Sequence, residues 1–223
     1  AATGGCKVDP VAHHPHRPVP DPATGHLTVD PDIVLKARGF DLQINFFYST
    51  ASNPGGLFWG QRRSASVNMQ VYLNDLDDFV DVIRGDGRVY RFHGGWEPKV
   101  TSTLTADPEM YSGTILSWQG SEFVETFPDG KVVTYGKELV ADLYYAVSEI
   151  TDPSGNIHSY NYNGNNLEYI QVPGGNRVTF LYDGSGHVET VQDWGGLLWT
   201  MTYDGFNQLL SYTVPTGCQT QYS

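Results

Sequence analysis

The chain is short of positive charge, of cysteine and of long apolar runs. Its 13 Lys and Arg stand against 25 Asp and Glu, a formal net charge of −12 at pH 7. Nucleic-acid binding needs a basic surface that displaces phosphate counterions, so nucleic acid is excluded as a partner. An anionic membrane surface is disfavoured for the same reason. No apolar run approaches the roughly 18 residues of a spanning helix, so membrane insertion is not expected. A basic, apolar leader is also lacking. The chain instead opens on "AATGG", small residues of the kind that follow a signal cleavage site. An exported, mature chain is expected from them.

The two cysteines, Cys6 and Cys218, lie one near each end. Two cysteines without a second pair do not make a metal site. They leave three states open: free thiols, an internal bridge closing nearly the whole chain, or a bridge between neighbouring molecules. Catalytic motifs are missing too. There is no Gly-x-Ser-x-Gly elbow, phosphate-binding loop, zincin motif or dinucleotide fingerprint. No catalytic residue, no cofactor and no metal ligand is therefore assigned, and the chain is read as a non-enzyme. His13, His14 and His16 stand among prolines, which suit an extended arm better than a ligand cage. Asp75, Asp77, Asp78 and Asp81 lack the spacing of a calcium loop and read as a solvated loop or strand edge. "RGDG" at 84–87 reads as a hairpin turn. No Asn-x-Ser/Thr acceptor occurs.

What is abundant is glycine (25) and aromatic residues, with 14 Tyr, 10 Phe and 5 Trp. Aromatic and β-branched segments between glycine-rich breaks predict an all-β protein. No window sustains a helical apolar period. The nearest, "GKELVADLYYAVSEI", reads as loop and strand, with a short helix as the alternative.

One phrase recurs. Tyr162-Asn163-Gly164, Tyr182-Asp183-Gly184 and Tyr203-Asp204-Gly205 follow one another at spacings of 20 and 21 residues. Gly155, Gly175 and Gly196 each precede the tyrosine by seven positions. Leu167, Val188 and Leu209 follow it, and Ile170, Val191 and Tyr212 come three positions later. The unit reads as turn, strand ending in Tyr, Asx-Gly turn, strand. Val178, Phe180 and Tyr182 share one face, as do Trp199, Met201 and Tyr203. Strands are expected at 176–183, 187–192, 197–203 and 208–214. The Asx-Gly pair is expected to supply the positive φ of a tight hairpin turn. Stacked hairpins cover one another's apolar faces where one alone cannot. Tyr162, Tyr182, Tyr203, Leu167, Val188 and Leu209 are thus expected to pack the repeats together, with the tyrosines largely buried. Fainter versions occur at "RGDGRVYRF" and "FPDGKVVTY".

The phrases "SGNIHSYNYNGNNLEYI", "GGNRVTFLYDGSGHVETV" and "GGLLWTMTYDGFNQLLSY" resemble the YD (Rhs) repeats of bacterial secreted and surface proteins. "DPATGHLTVDPDIVL", "FDLQINFFYSTAS" and "GGLFWGQRRS" resemble the domain that usually precedes those repeats. The resemblance covers about residues 21–214. It implies long antiparallel sheets that wind into shells, often around a toxin, or form large surface proteins.

Four regions are expected: an extended arm over 1–20, an irregular β domain over 21–148, three repeat hairpins over 149–214, and a tail over 215–223. The fold is expected to be an elongated, twisted antiparallel sheet with that arm extended from it. The function expected is that of a secreted or cell-surface structural protein whose partner is itself. Residues Gly5, Cys6, Lys7, Val8 and Asp9 would add as a strand to the sheet edge near Cys218 of a neighbour, head to tail, building a filament. The alternatives are a glycan- or protein-binding module, which an exposed row among Trp59, Trp96, Trp118, Trp194 and Trp199 would favour, and a fragment of a toxin-delivery shell.

Overall fold

A computed structural model of the chain describes residues 26–28, 33–49, 58–74, 79–94, 102–106 and 113–222. The expected arm, with Gly5 to Asp9 and the histidine cluster, lies outside the described residues, as do Asp75, Asp77, Asp78 and Trp96. Every element among the described residues is a β-strand, and every pairing is antiparallel. Strands β1 (His26–Thr28), β2 (Ile33–Leu35), β3 (Leu42–Ile44), β4 (Phe46–Ser49) and β5 (Arg63–Ala65) form two small sheets, β1–β4–β5 and β2–β3.

The remaining strands form one run of pairings. The front part comprises β6 (Gln70–Asn74), β7 (Phe79–Ile83), β8 (Val89–His93), β9 (Ser102–Ala106), β10 (Ile115–Trp118), β11 (Phe123–Thr126) and β12 (Val132–Tyr135). Next come β13 (Lys137–Val140), β14 (Tyr144–Ala146) and β15 (Glu149–Thr151). These three occupy the segment for which a short helix was the alternative reading. The hairpin β13–β14 pairs with β6, while β12 and β15 pair with each other on either side of it. One bent hairpin, 132–151, therefore serves two sheets. The expected boundary at 148/149 falls inside its second arm.

From β15 the sheet proceeds strand by strand: β16 (Ile157–Asn163), β17 (Asn166–Gln171), β18 (Arg177–Tyr182), β19 (Val188–Gln192), β20 (Leu198–Tyr203), β21 (Leu209–Thr213) and β22 (Gln219–Gln221). The expected repeat strands agree with these to within one residue. The expected tail does not. "PTGCQTQY" repeats the grammar of "PSGNIHSY", and β22 is the first strand of a fourth unit.

Eight turns share one construction, over 84–88, 127–131, 152–156, 172–176, 183–187, 193–197, 204–208 and 214–218. In each, the first residue donates its N–H to the carbonyl of the fifth and accepts from the N–H of the fourth. The fourth residue has positive φ: glycine in seven turns, and Asn207 (φ 64°) in 204–208. This is a three-residue hairpin loop closed by a left-handed residue. The expectation about Asx-Gly is corrected by it. Gly184 and Gly205 do not carry the positive φ; Gly186 and Asn207 do. The aspartates act otherwise. Oδ1 of Asp183 accepts the N–H groups of Ser185 and His187, and Asp152, Asp193 and Asp204 accept the equivalent pairs. Only Gly164 (φ 59°), in the two-residue loop between Asn163 and Asn166, behaves as the phrase predicted.

Residues 33–49 and 58–69 cover the apolar face of the array. Phe40 stacks on His158 at 3.6 Å, and Trp59 meets Phe180 edge-on at 6.2 Å. Phe58 meets Tyr182, and Phe46 meets Tyr212. The Trp59 indole N–H donates to Asn68 Oδ1 at 2.5 Å, which satisfies its polar edge within the core. The core is continuous from Ile33 and Ile44 through Val71 and Phe92 to Val178 and Val191.

Candidate functional site

The repeat tyrosines carry the regular part of the molecule. Each stands opposite the apolar residue paired with it in the sequence reading: Tyr162 with Leu167, Tyr182 with Val188, Tyr203 with Leu209. A bulge precedes each tyrosine and turns its ring toward the preceding unit. The hydroxyl then donates to a carbonyl 15 residues upstream: Tyr162 to Val147 (2.8 Å), Tyr182 to Leu167 (2.9 Å) and Tyr203 to Val188 (2.8 Å). Leu167 and Val188 therefore serve twice, as apolar neighbours within one hairpin and as acceptors for the next. Burial raises the pKa of all three phenols well above the ordinary value. The rings are partly rather than largely buried, whereas Leu167 and Val188 are buried and Leu209 partly so. The expected packing set is thus brought together as three interlocking pairs. Its spacing, fixed at 15 residues from tyrosine to carbonyl, was present in the sequence but needed the bulge to be seen.

The last described strand of the array is β22, which pairs with β21 on one side and with no other strand among the described residues. Tyr222 N–H donates to Leu210, and the Cys218 carbonyl accepts from Val214. By antiparallel alternation, the backbone groups of Gln219 and Gln221 point to the opposite edge. Residues 219–221 are exposed. Tyr222 occupies the position of Tyr160, Phe180 and Met201 in the earlier units. Cys218, in the turn before β22, is disulfide-bonded. No described cysteine is free. The free-thiol state left open by the sequence is corrected for Cys218.

A second cluster was not foreseen. Arg84, in the turn read as "RGDG", sends its guanidinium inward to both carboxylate oxygens of Glu125. Thr114 and Tyr135 hydroxyls donate to the same carboxylate at 2.7 and 2.9 Å. The rings of Tyr90 and Phe127 flank the guanidinium at 5.2 and 5.1 Å. Glu125 and Tyr135 are fully buried. Burial opposes the Arg84 charge, but the hydrogen bonds and charge of Glu125 outweigh it and raise the pKa. Burial, and then the adjacent Glu125 charge, push the Tyr135 phenol well above its ordinary range. A carboxylate held by four hydrogen bonds from three side chains is a structural anchor. Asp81, the described member of the acidic run, is likewise paired, with Arg91 at 2.8 Å. Among the described residues no group of three or more His, Cys, Asp or Glu side chains is placed to hold a metal. Trp59, Trp118 and Trp199 are buried and Trp194 is exposed, so the described tryptophans make no exposed row.

No family model matches the chain, and no curated protein matches it. Among solved structures it is similar to the N-terminal domain of the effector protein SpvB from Salmonella typhimurium strain LT2. The identity is 15% and the TM-score 0.47, over 82% of this chain and 93% of that one.

Proposed function

We propose that the chain is a non-enzymatic structural module, secreted or at the cell surface, that associates with further copies of itself through the open end of its hairpin array. The observation that carries this reading is β22, which among the described residues pairs with β21 alone and directs the backbone groups of Gln219 and Gln221 away from it. Unpaired edges recruit strands. A head-to-tail contact at such an edge does not close on itself and builds a filament. The disulfide at Cys218 supports an oxidising, extracellular setting. The likeness of the three phrases to YD repeats supports the same class.

The test is Gln221→Pro. Proline removes an edge-facing N–H and leaves the Tyr222 bond to Leu210 in place. Light scattering and electron microscopy of concentrated protein should show assemblies for the parent chain and loss of them for the variant. A parent chain that stays monomeric, or a variant that assembles equally, overturns the reading.

A further inference from the structure

Beside the open end of the array lies a cleft of about 530 Å³, inside the roughly 300–1,000 Å³ range of small-molecule sites. Arg62 and Arg63 line it from one side, and Asp204, Gln208, Gln221 and Tyr222 from the array. Arg84, Arg88 and Arg91 each meet a carboxylate; among the described residues Arg62 and Arg63, like Arg38 and Arg177, meet none. The Arg63 guanidinium instead lies over the ring of Tyr222 at 4.4 Å and of Tyr48 at 5.5 Å, which fixes its position.

The backbone is strained to present this pair. Neighbouring side chains on an extended chain point to opposite faces, yet Arg62 and Arg63 line the same cleft. The cause is the φ of 62° at Arg62. The other described non-glycine residues with positive φ are Asp142 and Asn207, whose short polar side chains tolerate that region. Arginine has no such compensation, and the conformation persists because its surroundings impose it. The Gln61 N–H donates to the Asn207 carbonyl at 2.6 Å, and the Arg63 N–H donates to the Gly60 carbonyl at 3.3 Å.

The other polar groups are of a different kind. Gln61, Gln208 and Gln221 bring three carboxamides, each both donor and acceptor. Asp204 uses Oδ1 for the N–H groups of Phe206 and Gln208, and Oδ2 is a further acceptor.

We propose that this cleft binds an acidic sugar residue, a single carboxylate on a polyhydroxylated ring. The two guanidiniums take the carboxylate by charge-assisted hydrogen bonds. The carboxamides and Asp204 take the ring hydroxyls. A simple anion would leave the carboxamides unused, and a neutral sugar would leave the guanidiniums unpaired. This assignment does not rest on self-association.

The experiment is calorimetric titration of the full chain with digalacturonate, with the neutral disaccharide galactobiose, and with acetate and inorganic phosphate. Digalacturonate should bind, and galactobiose, acetate and phosphate should each bind at least about tenfold more weakly. Arg62→Asn suits the left-handed backbone and should keep the parental melting temperature. It should weaken digalacturonate binding by about tenfold or more, as should Arg63→Gln. Absence of digalacturonate binding at millimolar concentration overturns the assignment. Unchanged affinity in both variants, or phosphate or acetate binding as tight as digalacturonate, overturns it equally.

Discussion

The two halves of the sheet are held by opposite strategies. From residue 152 onward the same few contacts recur: an aspartate or proline turn, a bulge, and a tyrosine bonded to a carbonyl 15 residues back. In the front part the contacts are unique and long-range, such as Arg84 with Glu125 and Trp118 with Tyr145. Local, repeated contacts fail one at a time, whereas unique buried networks fail together. Repeat architectures are expected to approach nearest-neighbour additivity, and buried charge networks are not.

Breaking the front network should give the largest effect. Glu125→Ala leaves the Arg84 charge buried and unpaired, which should cost about 3–5 kcal/mol in denaturant unfolding. Replacing both ends with apolar residues, as in Arg84→Met with Glu125→Leu, should cost much less than the sum of the single changes. Simple additivity would mean that the two groups do not form one unit.

The seam between the halves is sensitive to pH. His158 is buried under Phe40, with Nε2 3.2 Å from the Phe40 carbonyl. Burial lowers its pKa to about 4, against smaller opposing effects of the Phe40 carbonyl and Asp152. The unfolded chain binds this proton at about 6.5, so the group's contribution is complete above that pH. It is lost as pH falls from about 6.5 through about 4, by on the order of 2–3 kcal/mol. His158→Phe keeps a ring against Phe40 and should flatten stability over that window. An unchanged slope would place the sensitivity elsewhere.

Glycines sharpen the contrast next. A Cβ on Gly85 would lie 2.3 Å from the Ala65 carbonyl oxygen and 2.6 Å from Ser66 Cα, both backbone atoms that cannot rotate away. Gly85→Ala should cost about 1–3 kcal/mol by overpacking. Gly184 sits in the same place of its own turn, without positive φ and with open space around it. Gly184→Ala should change the melting temperature little. Equal effects at the two sites would refute the idea that the front part is held by close unique contacts.

This contrast also explains what the sequence made legible. The strands of the array could be placed because period-2 alternation and turn residues are local signals, and three copies in frame reinforced each other. The fourth unit was hidden because β22 carries Gln219 where two earlier units carry Ile157 and Leu198, and Thr220 where the three earlier units carry His158, Val178 and Trp199. The role of Asp183 was misplaced by one step: Asp-Gly suggests a two-residue turn, while the left-handed residue is Gly186. Arg84, Glu125 and Arg62 left no sequence signal. Glu125 is an ordinary alternating residue of "EFVETF", and its partner stands 41 positions away. Which charged residue goes inside is decided by strand register across the sheet, and no local pattern records it.

The smallest effect tests the array itself. Tyr182→Phe keeps the ring against Phe58 and removes only the hydroxyl that donates to the Leu167 carbonyl at 2.9 Å. The net loss of such a bond is about 1 kcal/mol. Tyr162→Phe and Tyr203→Phe remove the equivalent bonds to Val147 and Val188. Each hydroxyl has its own acceptor, so the three losses share no partner. The triple variant should therefore lose about 3 kcal/mol in urea unfolding, the sum of the singles to within about 0.5 kcal/mol. It should also keep the parental m-value, because the strands and their burial persist. A triple variant no less stable than one single would show that the hydroxyls are surplus to ring packing. A loss far beyond the sum would show that the hairpins unlock as one body, and that the two halves of the molecule do not differ in the way proposed.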